Sequence, residues 1–175
     1  MATEGYAPAA ARLAQPKTAR SFAAAAWIVL RIGLIAGTLD ITENLIFNAF
    51  RGITPKMVFQ FIASGLIGVK SALAWGMASI ALGVAIHYFI ATWWTAVYYL
   101  VSRKWRLLVR RAAISGIVYG AFVYILMNFV VLPFTRIPHS KVAMTPASRV
   151  SGVLALLFCI GLTIALLVKR SESAA

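Results

Sequence analysis

The sequence predicts an all-α fold: an integral membrane bundle of four transmembrane helices with one short interfacial helix. Three observations point there. Hydrophobic residues make up 62% of the chain and mean hydropathy is +0.87, beyond the roughly half-apolar balance of soluble domains. Four apolar runs each reach the ~20 residues needed to cross a bilayer. The basic residues stand in short clusters between those runs, the arrangement that orients membrane proteins. The net charge of +13 therefore reads as contact with anionic lipid headgroups, and nucleic acid is not an expected partner.

Residues 1–21 hold Pro8, Pro16, Arg12, Lys17 and Arg20 among many alanines and read as a flexible cytoplasmic tail. The apolar stretch that follows runs on past its alanines, so a cleaved signal peptide is not expected. The first span is expected over residues 22–50. Gly33, Gly37, Asp40 and Asn44 fall on one helical face, with Glu43 about 60° away. The glycines permit close approach of another helix, and carboxyl groups inside a span face the bundle interior or a watery cavity. Arg31 lies opposite Asp40 and snorkels to headgroups, near Trp27 as an anchor.

Thr54-Pro55 is a helix start, with Thr as N-cap and Pro in the first turn. It predicts a short apolar helix over about 55–67, too short to span and suited to the outer interface or a shallow re-entrant turn. The second span is expected over 71–101, with Trp93, Trp94, Tyr98 and Tyr99 as an aromatic belt ahead of Arg103, Lys104 and Arg106. Gly76, Ile80, Gly83, His87 and Trp94 share one stripe of it. Arg110 and Arg111 complete the basic loop. The third span, 112–132, carries Gly116 and Gly120, then Tyr124 and Asn128, and ends at Pro133. Phe134 to Met144, with Arg136, Pro138, His139 and Lys141, reads as an external loop. Thr145-Pro146 starts the fourth span, 147–168, and Lys169-Arg170 open a C-terminal tail over 169–175. Ten Lys and Arg lie on the side of both termini and six on the other, which predicts two cytoplasmic termini in a bacterial inner membrane.

At about 1.5 Å per residue, Asp40, His87 and Tyr124 fall roughly 17 to 20 Å from the inner interface, with Glu43 and Asn128 a turn higher. Three spans thus bring polar groups to one layer: Asp40, Glu43, Asn44, His87, Tyr124 and Asn128. One reading is a protonatable site on a proton or ion path. The other is interhelical hydrogen bonding that pins the bundle, or acids sitting wet at the outer surface. Haem would need a second axial ligand beyond His87, and a two-histidine metal site fails because His139 is placed in a loop. No phosphate loop, Ser-His-Asp spacing or CxxC occurs, and Ser79 and Ser115 are too generic to nominate as nucleophiles. No catalytic residue, metal or cofactor is expected. Cys159, alone in an apolar run, reads as an inert thiol.

The run Arg31 to Gly37, the segment His87 to Ser102, and Gly116 to Pro133 resemble a bacterial family, the uncharacterised inner-membrane proteins grouped with YagU. The hydrophobic pattern, the glycines, the His-led second span and the Pro after the third carry the resemblance. It implies a small multi-pass inner-membrane protein and supplies no catalytic residues. Two function classes follow from the whole chain. One is a non-enzymatic accessory or structural subunit of a membrane assembly, or a self-associating membrane protein. The other is a small oligomeric transporter or proton-coupled protein that uses the polar layer.

Overall fold

The computed structural model describes residues 17–137 and 145–173, with side chains from Phe22 onward. Among the described residues, four helices are long and apolar enough to cross a membrane: Phe22–Ala49, Met77–Lys104, Ala112–Phe134 and Pro146–Ser173. The molecule is a small multi-pass membrane protein. Helix α1 (Lys17–Ala49) is followed by α2 (Pro55–Ile67), the short apolar helix expected from Thr54-Pro55. Thr54 has extended backbone and its hydroxyl accepts from the Met57 amide at 3.4 Å, satisfying an otherwise unpaired donor of the first turn. The expected tail over 1–21 lies largely outside the described residues, as do Pro138, His139 and Lys141 of the expected loop. The part of it that is described, from Lys17, is already helical.

The second span needs correction. Residues 71–101 are not one helix: α3 (Val69–Ala74) ends at Trp75, and α4 (Met77–Lys104) starts after Gly76. Gly76 has φ +56° and ψ −117°, a conformation that side-chain-bearing residues rarely adopt. A Cβ there would meet nothing within 4 Å. Gly76 therefore turns the chain and does not pack helices. The short helix α5 (Leu107–Arg110) precedes α6 (Ala112–Ile125). That span continues through wide π turns over Leu126–Val131 and a tight turn over Leu132–Phe134, where Pro133 ends it. The last span starts as α7 (Pro146–Leu154), capped by the Thr145 hydroxyl, which accepts from Ser148 N at 3.2 Å. It widens into π turns over Ala155–Leu162 and closes as α8 (Thr163–Ser173), so Lys169 and Arg170 are helical.

Helix α1 packs against α4 on one side and the last span on the other, and α6 packs against the last span. The buried core lies where they meet: Ile32 and Ala36 of α1, Ala91, Tyr98 and Tyr99 of α4, Ala112 of α6, and Ile160, Ile164, Ala165 and Val168 of the last span. Glycines set the crossings. A Cβ on Gly33 would sit 2.7 Å from Thr92 Cα, and one on Gly37 2.9 Å from Ala91 Cβ, which fixes α1 on α4. A Cβ on Gly116 would lie 2.9 Å from Leu162 Cα and one on Gly120 2.6 Å from Leu157 Cα. Gly161 answers them: its Cβ would lie 2.6 Å from Gly120 N. Small residues on both sides let the backbones touch, the contact that drives helix association in lipid.

Gly83 also packs closely, but not against another span. Its Cβ position falls on the carbonyl of Phe59, so α2 lies on the first turns of α4. Buried Gln60 of α2 donates to Ala72 O at 3.2 Å and to Ser79 Oγ at 3.3 Å. The Ser79 hydroxyl is within reach of Ala72 O (2.6 Å) and Gly76 O (2.8 Å). The bonds to Ala72 O satisfy a carbonyl that the break at Gly76 leaves without a helical partner. The turn after the third span joins the same end, since Arg136 N donates to Gly65 O at 2.9 Å. The α4–α6 loop, the start of α1 and the end of α8 gather at the opposite end, where Leu108, Ala25, Ile28 and Val168 pack in one cluster.

Candidate functional site

The expected polar layer resolves into separate contacts. His87 Nε2 stands 2.8 Å from Gly37 O, so the imidazole meets a backbone carbonyl of α1 and not a carboxylate. The close α1–α4 crossing at Gly37 is what brings that carbonyl within reach. Six residues further along α1, Ser151 of α7 donates to Glu43 Oε1 at 2.6 Å, tying α1 to the last span. Tyr124 packs its ring near Gly152, the neighbour of Ser151, so it shares the level of Glu43. Asn128 donates back to Tyr124 O at 2.9 Å. Exposed Asn44 accepts from Asn48, through its carbonyl oxygen at 2.9 Å and its side-chain oxygen at 3.1 Å.

Asp40 is different. It is half-buried, sits on the stripe of Gly37, and stands three residues before Glu43 on α1. No hydrogen bond reaches its carboxylate from the described residues. The structure thus brings Asp40, Glu43 and His87 to neighbouring turns of one crossing region but does not join Asp40 or Glu43 to His87. No group of three His, Cys, Asp or Glu residues placed to hold a metal occurs among the described residues. The imidazole contact is a modest one. His87→Ala should cost about 0.6 kcal/mol, the average for an interhelical hydrogen bond in lipid, read as a small drop in the unfolding midpoint in detergent.

A second polar cluster, not foreseen from the sequence, closes the α4–α6 seam. Tyr119 donates to Trp94 O at 2.6 Å, and Tyr98 Oη lies 2.9 Å from Ser115 Oγ. Ser115 Oγ is in turn 2.7 Å from Leu108 O. The rings of Tyr98 and Tyr119 meet edge to face at 5.0 Å, with Trp94 and Phe122 against Tyr119 at 6.4 and 6.2 Å. This corrects the aromatic belt: Trp93 faces outward, whereas Tyr98 is 1% and Tyr99 8% exposed. The i, i+4 pairs Trp94/Tyr98 and Ser115/Tyr119 carried the signal, since each stacks two hydrogen-bonding groups on one helical face. Tyr119→Phe should lower stability by about 1 kcal/mol, because Trp94 O loses its side-chain donor in a dry seam. Thermal unfolding in detergent checks it.

The basic residues are all exposed: Arg31, Arg103, Lys104, Arg106, Arg110, Arg111, Lys169 and Arg170. The Arg103 guanidinium stands 6.0 Å from the Tyr99 ring centroid. Arg106 is partnered within the chain, by Glu172 at 2.7 Å. No family model, curated protein or solved structure matches this chain.

Proposed function

We propose that this protein is a non-enzymatic accessory or structural subunit of a membrane assembly, or a self-associating membrane protein, in a bacterial inner membrane with both termini cytoplasmic. The observation that carries the reading is how the span polar groups are used. His87, Tyr98, Ser115, Tyr119 and Glu43 each bind a backbone carbonyl or a hydroxyl of a neighbouring segment. They fasten helices and form no continuous line of titratable groups. The basic loop Arg103–Arg111 with Lys169 and Arg170 holds anionic lipid at the cytoplasmic face. Purification from native membranes in a gentle detergent is the test. Fixed partner subunits in stoichiometric amount support it, and a lone homo-oligomer that moves protons in vesicles overturns it.

Asp40 favours a second reading, a proton-linked site, because a carboxyl inside a bundle with no hydrogen-bond partner is costly and marks ion pathways elsewhere. Asp40→Asn removes the charge and keeps hydrogen-bonding capacity. Under the structural reading the variant folds and assembles with an unchanged or slightly raised unfolding midpoint. Under the proton-linked reading it folds equally well, but pH-driven flux in vesicles is lost.

A further inference from the structure

We infer that the last turn of α8 is a strap held shut by one ion pair, and that the phosphate of an anionic lipid opens it by taking Arg106 from Glu172. The inference rests on the lipid contacts proposed above for the 103–111 loop. Core packing of the last span stops at fully buried Val168, and none of residues 169–173 belongs to the core. The hydroxyls of this turn bond within their own helix, Ser171 to Val168 O at 2.8 Å and Ser173 to Lys169 O at 3.1 Å. Among the described residues, Glu172 is the one side chain of the turn with a hydrogen bond to another segment. Its Oε2 accepts from Arg106 Nη1 at 2.7 Å.

The pair is lopsided, and that makes it exchangeable. The Arg106 side chain is 72% exposed and that of Glu172 only 13%. Glu172 Oε1 is enclosed and accepts no hydrogen bond from the described residues. Arg106 therefore offsets the cost of enclosing a carboxylate with one oxygen unpaired. Once Arg106 turns to another anion, the carboxylate is left enclosed without a partner, so it moves out to water and the turn moves with it. A pair whose cation stands open to solvent is weak enough to be exchanged in this way. The neighbours of Arg106 select the competitor. Trp105 and Leu107 flank it and are 63% and 62% exposed, and apolar side chains beside a cation at a span's end suit the headgroup level of a bilayer. Lipid covers those two side chains with hydrocarbon, which a soluble acidic surface does not. Arg103, Lys104, Arg110, Arg111, Lys169 and Arg170 are also exposed at this end, with no second acid there among the described residues. A phosphate offers the guanidinium two oxygens at once, where Glu172 presents one. The arriving anion also repels Glu172, which pushes the strap the same way.

The test is a spin-label distance on the full chain in nanodiscs. The labels go on Leu100→Cys, at an exposed position of α4, and Ser173→Cys, in a Cys159→Ala background. Labelled chains are diluted with unlabelled ones, so that only distances within one molecule are read. Phosphatidylcholine should give one narrow distance, and phosphatidylglycerol should add a longer, broader population that becomes the larger one. Arg106→Ala should show the long population in both lipids alike. Native mass spectrometry supplies the second readout. Glu172→Gln, which keeps the shape and drops the competing charge, should raise the preference for phosphatidylglycerol over phosphatidylcholine about threefold, the scale of a lost exposed pair. Unfolding midpoints within a few degrees of the parent confirm that each variant is folded. An unchanged distance in a chain that still prefers phosphatidylglycerol overturns the strap and leaves the lipid contacts of the loop standing. No preference for phosphatidylglycerol in the unmodified chain removes those contacts and the strap together. Release by glycerol phosphate in phosphatidylcholine discs overturns lipid as the ligand, because that ion has the anion and no chain.

Discussion

Replacing Gly161 by leucine is expected to unfold the seam between the third and fourth spans. Its Cβ would lie 2.6 Å from Gly120 N and 2.7 Å from Gly120 Cα, and the carbonyl of Gly116 is closer still. All three obstacles are backbone, so no rotamer change relieves them, and the helices must separate along the crossing. Overpacking in a dense core costs about 1–3 kcal/mol when side chains can move. Here the cost belongs at or above the top of that range. Separation also forfeits the close backbone contacts that hold helices together where lipid offers no hydrophobic drive. Gly161→Ala should already lower the midpoint of unfolding in a denaturing-detergent titration, and Gly161→Leu should leave no cooperative transition. A leucine variant with an unchanged midpoint would falsify the assigned crossing.

The second large effect is local. Gly83→Leu should release α2 from α4 while the four spans stay assembled, because the Cβ position there is filled by the Phe59 carbonyl of α2. Gln60 and Ser64 are 6% and 2% exposed, and both become accessible if α2 lifts. Ser64→Cys in a Cys159→Ala background gives the measurement, as the rate of alkylation by a membrane-impermeant thiol reagent added on the side nearest α2. In the parent that rate should be slow, and with Gly83→Leu it should rise by an order of magnitude or more, with little change in the unfolding midpoint of the bundle. An equally slow rate in both would mean that α2 is not held at Gly83.

How far the sequence reached depended on whether a feature is a property of one helix or of two. Span existence, the Thr54-Pro55 and Thr145-Pro146 starts, and the packing faces at Gly33/Gly37 and Gly116/Gly120 are set by local periodicity and capping, and all were legible. Gly76 sat in register with Gly83 and passed for the same face, because periodicity carries no information on φ. Only the chain geometry shows that it turns a corner. Gly83 does pack closely, but its neighbour is α2, and nothing in a span's own pattern names its partner. His87 and Asp40 were placed at one depth by counting rise, and their turns are indeed adjacent. What depth cannot give is azimuth between helices, so the partner of His87 came out as the Gly37 carbonyl. Tyr98 failed for a related reason: an aromatic near a basic loop looks like an interface anchor until a facing helix covers it.

The last span touches both α1 and α6, and it supplies Ile164, Ala165 and Val168, each fully buried. A ribosome delivers the chain from its N-terminus, so α1 enters the membrane with one lateral flank bare until the fourth of the described spans emerges. That span closes the bundle. A nascent chain that stops before Ser151 has neither the hydroxyl donor of Glu43 nor the backbone partners of Gly116 and Gly120.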